Sequence, residues 1–444
     1  MFLERLEVLP VKETISPAFV RAIPKTDLHL HLDGSLRIPT LIDLAKECRV
    51  KLPSYTEDGL RRLVFKDKYA SLPDYLKGFA YTCAVMQTAE SLERIAFELA
   101  EDNLAEGVRY IEVRYAPQLH INDDHNMEDV VTAVCRGLER ARRRHNQSRA
   151  VLTGVDVPFH FGIIACALRF FVPAMSPYYR RMFEVMSYAA PKQVFAAASM
   201  ELARAAVHLA HDKGLPVVGF DLAGAEAGYP AEDHSAAYQY AHSHFIRKTV
   251  HAGEAYGPES IFQAITKCYA NRIGHGTWLF AHEMIQNPNI TDPQAYSQYL
   301  AEYVASQRIT IEVCLTSNAQ TLPRMRDLSR HPLRQMLDHE LSVSICTDNR
   351  LMSNTSVTKE LLIAIDKLKM TPRELRNTVI AGFKGSFFPG TYRDRRNFVR
   401  QVIDRYEAVE RESMARPFAA SSAAALAVDT RRSRATHRRG AAMA

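Results

Sequence analysis

No C-x-x-C pair occurs in the 444 residues, and the seven cysteines (Cys48, Cys83, Cys135, Cys166, Cys268, Cys314 and Cys346) are scattered and odd in number. That excludes a cysteine-ligated zinc module or a redox dithiol and offers no disulfide framework; it points to reduced thiols and a cytoplasmic setting. No G-x-G-x-x-G is present either, so the chain lacks the phosphate turn that marks many open doubly wound sheets. An excess of one charge is also missing from most of the chain. The net charge is +6, but from Ser413 onward six arginines stand against the single Asp429. The rest is therefore near +1, which gives no footing for nucleic-acid binding. Uninterrupted apolar runs are absent too. Val157–Met175 has the length of a membrane span, but Pro158, His160, Arg169 and Pro173 break it. A central arginine costs roughly 2.5–3.5 kcal/mol in a bilayer. Its first half reads as a buried strand. Glu4, Arg5 and Glu7 deny the N-terminus the core of a signal peptide.

What remains is a soluble globular composition, 47% hydrophobic and 24% charged, with length for a large core. Eight short β-rich runs are predicted as strands: 26–33, 108–116, 159–168, 216–223, 248–253, 272–275, 309–315 and 341–348. Helical patterns fill the gaps. In 91–107, Ser91 can cap the start and Gly107 the end; 198–214 repeats the design. Eight strands with intervening helices predict a closed parallel (β/α)8 barrel. The gap 34–107 is too long for one helix and predicts a multi-helix insertion after the first strand. Residues 1–410 are expected to form one domain, and 411–444 a basic Ala/Arg-rich tail without enough large apolar residues to pack.

In such a barrel, reactive side chains sit where strands end. "KTDLHLHLDGS" (25–35) alternates, with Leu28, Leu30 and Leu32 on one face and His29, His31 and Asp33 on the other. Two imidazoles two residues apart on a strand can chelate one metal. The fifth strand ends in "VHAGE", giving His251 and Glu254; the sixth in "IGHG", giving His275; the eighth in "CTDN", giving Asp348 and Asn349. Each could be a structural histidine or a capping carboxylate. Together they deliver four histidines and an aspartate to one rim. Nitrogen and oxygen donors without thiolate suit zinc or another borderline divalent metal. A metal can lower the pKa of a bound water from 15.7 to about 7 and so supply a nucleophile at neutral pH.

Seven ordered motifs, "HLHLDGS", "YIEVRYAPQLH", "GFDLAGAEAG", "TVHAGEAYG", "RIGHG", "EVCLTSN" and "CTDNRLMS", resemble the adenosine deaminase family over about residues 20–405. The resemblance implies one zinc ion per subunit and hydrolytic loss of the purine 6-amino group, in purine salvage, with a small purine nucleoside as partner. It implies His29, His31, His251 and Asp348 as zinc ligands. His275 would orient or deprotonate the attacking water, and Glu254 would protonate purine N1. The Gly224 N–H would donate to N3, and Asp33 would accept from the ribose 5′-hydroxyl. Related adenine deaminases tend to carry Glu at the position of Asp33, so Asp33 favours a nucleoside. The family's usual aspartate pair is here Asp348–Asn349, and an Asn amide donates to N7 without needing protonation. The alternatives are a deaminase of adenine, AMP or an N6-substituted purine, or a silent nucleoside-binding relative. A lysine-bridged two-metal hydrolase is disfavoured because "FDLAG" ends the fourth strand without Lys, and the cytidine-type H-x-E…P-C-x-x-C signature is missing. The lid over the ligand is placed between 55 and 80.

Overall fold

The computed structural model describes residues 15–70 and 72–413. Eight strands pair in parallel and in chain order: β1 (Lys25–His31), β2 (Val108–Tyr115), β3 (His160–Leu168), β4 (Val217–Ala223), β5 (Arg247–Ala252), β6 (Arg272–His275), β7 (Thr310–Val313) and β8 (Val343–Ile345). The ring closes just beyond β8. The His31 N–H donates to the Asp348 carbonyl, and the Asp348 N–H to the His29 carbonyl, each at 2.8 Å. The (β/α)8 barrel read from the sequence is the fold found. Its strands are buried on both faces, as parallel strands under helices must be. Ile111, Val113, Ile163, Ile273, Ile311 and Val343 are all at most 1% exposed. Each such side chain contributes roughly 1.5–3 kcal/mol by leaving water.

The stretch 34–107 supplies five helices: Ile38–Glu47, Glu57–Leu63, Leu72–Leu76, Phe79–Val85 and Ala89–Ala105. The last begins earlier than expected. Thr88, not Ser91, is its N-cap, and Ser91 returns the bond from the third helical position, a capping box that a cap scan centred on Ser91 misreads. The helix expected over 198–214 runs Pro191–His211, because Pro191 suits the first helical turn. β7 and β8 are shorter than expected at both ends: Leu315 already starts the helix Leu315–Thr321, and Asp348 lies past β8. In the apolar stretch Val157–Met175, the first half is β3, and Arg169 is fully buried, donating to the carbonyls of Tyr229 at 2.6 Å and His251 at 2.5 Å. No helix among the described residues is long and apolar enough to cross a membrane. A final helix occupies 392–413. The rest of the basic tail, 414–444, lies outside the described residues.

Candidate metal centre and active site

β1 brings His29 and His31 to the upper rim, β5 brings His251, and the turn after β8 brings Asp348. One donor atom from each lies within 4.8 Å of every other. His31 Nε2 and His251 Nε2 are 3.1 Å apart. Asp348 Oδ1 is 3.5 Å from His29 Nε2 and 3.4 Å from His31 Nε2. Four donors set tetrahedrally at 2.0–2.2 Å from one ion would be separated by ~3.3–3.6 Å, so the edges fit a divalent cation. The ring polarities agree. His29 Nδ1 faces Glu312 Oε2 at 2.8 Å and His251 Nδ1 faces Asp221 Oδ1 at 3.2 Å. Each carboxylate accepts a hydrogen bond from the Nδ1–H, which leaves the Nε2 lone pair turned inward. His29 Nε2 is buried and has no hydrogen-bond partner. Such an atom is costly unless a ligand meets it. Opposite, Gly274 on β6 leaves the room that His29 needs: a Cβ there would sit 2.9 Å from His29 Cε1.

Behind the donors stands a fully buried ionic lattice. Arg114 donates to Asp221 at 2.8 Å and to Glu312 at 2.9 Å, so one guanidinium fixes both carboxylates that hold the histidines. Glu312 also accepts from Arg272 at 2.6 Å and Thr249 at 3.0 Å. Despite burial, Arg114 and Arg272 hold Glu312 well below the ordinary carboxyl range, and His251 and then Arg114 do the same for Asp221. Ser317 Oγ donates to Asp348 Oδ2 at 2.6 Å, which leaves Oδ1 for the histidines. Burial opposes ionisation of Asp348, but the three surrounding imidazoles more than offset it and hold its carboxyl below the ordinary range. His275 and Asp348 both carry positive φ, +65° and +60°. Non-glycine residues adopt that region uncommonly, aspartate and histidine more readily than most.

Glu254 follows β5 on a loop that Glu226 pins. Glu226 accepts from the backbone N–H groups of Gly253, Glu254, Ala255 and Tyr256 at 2.5–3.2 Å and from the Ser260 hydroxyl. The Glu254 carboxyl lies 3.9 Å from His275 Nε2. Burial, then the neighbouring Asp348 and Glu226, pushes its pKa up to about 8. Burial first, then Asp348, also lifts Asp33 to about 7, and Asp33 Oδ1 is a buried acceptor without a partner, 3.9 Å from His31 Nδ1. Asn349 is buried with its Oδ1 unpartnered against Gly34, and its side chain also lies at the Tyr75 hydroxyl. Gly224 ends β4 at φ +98°, a turn that suits glycine. A cleft of about 850 Å³ runs between Leu76, Phe79, Cys83, Leu119 and Pro173; burial, and then the nearby Asp33, pushes the Cys83 thiol on its wall well up.

The family model described as "Adenosine deaminase" matches residues 24–165 and 182–405. An adenosine deaminase of Mycobacterium marinum is 34% identical over 387 residues, covering 86% of this chain and 95% of that protein. The chain belongs to the adenosine deaminase family. A "Probable adenosine deaminase" of Dictyostelium discoideum is 34% identical over 369 residues, 83% of this chain, but the match spans only 41% of that longer protein. An amidohydrolase structure from Burkholderia ambifaria with bound Zn shares the fold at a TM-score of 0.69 and 18% identity, covering 91% of this chain and 97% of that one.

In this adenosine deaminase family member, His29, His31, His251, Asp348, Glu254 and His275 converge on one rim, with Asp33 and Asn349 buried beside them. Arg114, Asp221, Glu312, Glu226, Ser317 and Asn318 are the hydrogen-bonded neighbours behind these residues that strand-end reasoning misses. The available signal is a charged side chain inside an otherwise apolar strand, as with Arg114 in β2, Asp221 in β4 and Glu312 in β7. Ser317→Ala is expected to weaken metal affinity by roughly 10–100-fold, measured by competition with a chelator, while leaving kcat at saturating metal within a few-fold. Unchanged affinity would show that the Ser317 bond does not orient Asp348.

Proposed function

We propose that the chain hydrolyses the C6–amino bond of adenosine and 2′-deoxyadenosine to give inosine, or 2′-deoxyinosine, and ammonia, with one zinc ion held by His29, His31, His251 and Asp348. The observation that carries this is a buried, raised-pKa carboxyl, Glu254, facing an N3O donor cluster in a member of this family. A divalent cation in the cluster supplies Lewis-acid activation of a water. Glu254, neutral at pH 7, gives its proton to purine N1, so that C6 becomes electrophilic without an anion building on the ring. His275 holds the water at C6. Water oxygen joins C6 and gives up its two protons, one to N6 and one back to the Glu254 carboxylate; the C6–N6 bond then breaks, and N6 leaves as ammonia. The Gly224 N–H donates to N3, the Asn349 amide to N7, and Asp33 accepts from the ribose 5′-hydroxyl. Free cysteines throughout the described residues support a reducing cytoplasmic setting. Residues 1–410 are the catalytic unit, and 411–444 are an appendage to it.

A panel over adenosine, 2′-deoxyadenosine, adenine and AMP, read by ammonia release, and an N6-methylated analogue, read by methylamine release, tests this. The first two should react fastest; reaction of adenine or AMP alone would overturn the reading of Asp33. The pH profile tests Glu254. A carboxyl raised to about 8 stays protonated below that pH and loses its proton above it. A cation at Asp348 cancels part of the rise. The alkaline limb of kcat/KM is therefore expected at or below about pH 8, with no such limb in Glu254→Gln. A wild-type profile flat through pH 9 would remove Glu254 as the acid.

A further inference from the structure

We propose that Asn318 and His331 act as positioning residues that fix the tautomer of His275, so that its Nε2 carries the proton and meets the attacking water as a donor. The inference rests on the reading that His275 faces that water. Its polarity begins at a group with no ambiguity, the backbone N–H of Leu333, which donates to His331 Nδ1 at 3.1 Å. Burial holds His331 far down, at about 3, so the ring is neutral and has one donor and one acceptor. Nδ1 accepts; Nε2 must therefore carry the proton. His331 Nε2 lies 3.2 Å from Asn318 Oδ1, and only an oxygen satisfies it there. The Thr277 hydroxyl reaches the same oxygen at 3.2 Å. That fixes which way the Asn318 amide points, a choice that heavy-atom positions alone leave open. Its Nδ2 then faces His275 Nδ1 at 3.2 Å and can only donate. His275 Nδ1 accepts, and the proton of the neutral ring stays on Nε2.

All four side chains are at most 2% exposed, so no solvent competes for these bonds. The positive φ of His275 places its ring where the chain meets it. In this state His275 holds the water by donating to it and does not take a proton at Nε2. Its role is to orient the water, not to act as base from the neutral ring.

The test uses the full, zinc-loaded chain with ¹⁵N-labelled histidine, His275 being assigned by its loss in His275→Gln. The wild type should show an unprotonated Nδ1 and a protonated Nε2 at His275. Asn318→Asp presents an acceptor to Nδ1 and should reverse that pattern, with kcat falling on the order of 10²–10⁴ and KM little changed, as expected for a wrong tautomer. Asn318→Ala removes the bias without imposing the opposite one and should lose less, although alanine is the poorer match in shape. A protonated Nδ1 in the wild type would overturn the proposal even if Asn318→Asp fails to fold. So would equal losses in the Asp and Ala variants. A reversed tautomer with unchanged kcat would leave the relay standing and instead remove His275 from the water.

Discussion

Glu254→Gln is expected to lower kcat by roughly 10²–10⁴, about 2.7–5.4 kcal/mol of barrier, while zinc content and thermal unfolding stay close to wild type. The expectation follows from what the amide keeps and what it loses. Glutamine fills the same buried volume and can still donate a hydrogen bond to N1, but it cannot deliver a proton. The loop should survive the change because Glu226, not the Glu254 side chain, takes the backbone N–H groups of Gly253 to Tyr256. The Trp278 indole also donates to the Glu254 carbonyl at 2.7 Å. A carboxyl ionised at pH 7 would gain little by leaving; one pushed up to about 8 is neutral, and its acidity is the property the substitution deletes. Steady-state kinetics with adenosine and metal analysis of the same sample decide it. Near-normal kcat at full metal content would take Glu254 out of the mechanism.

The parts of this site that were legible in the sequence share one property: they sit at or near the ends of short β-rich runs. His29 and His31 alternate with Leu28, Leu30 and Leu32, and that pattern survives in β1. His251, His275 and Asp348 each end a short β-rich run. The parts that were not legible depend on pairings across the barrel. Arg114 meets Asp221 across 107 positions of sequence and Glu312 across 198, and no local pattern reports either distance. A charged side chain within β2 signals something unusual at Arg114, but the local sequence does not say which carboxylates it meets. The polarity of His275 is hidden for the same reason. It depends on Asn318, 43 residues away, and through it on His331. Element ends were the other loss. Thr88 and Ser91 are both competent caps, and only the reciprocal bonds between them show which one starts the helix. β8 shrinks to Val343–Ile345, and beyond it Asp348 turns into positive φ, a region aspartate enters more readily than most residues but that the local sequence does not specify here.

Removing the metal is expected to lower kcat by about 10³ or more, several kcal/mol of lost Lewis-acid assistance, without unfolding the barrel. The donors are held by groups that do not need the ion. Glu312 is fixed by Arg114, Arg272 and Thr249, Asp221 by Arg114, and Asp348 by Ser317. An emptied centre should therefore keep its shape and refill. Its stability should still fall, because a ligand that binds only the folded chain adds RT ln(1 + [L]/Kd), about 4 kcal/mol at a thousandfold excess over Kd. A melting temperature measured before and after dialysis against chelator should drop and then recover on adding zinc. Three imidazoles and one carboxylate are a borderline donor set, so cobalt should restore turnover alongside zinc, whereas magnesium and calcium, which prefer all-oxygen shells, should not. Rescue by magnesium alone would contradict the donor chemistry. Full activity in a sample shown to be metal-free would overturn the centre itself, and with it the reason for three histidines and an aspartate to converge on one rim.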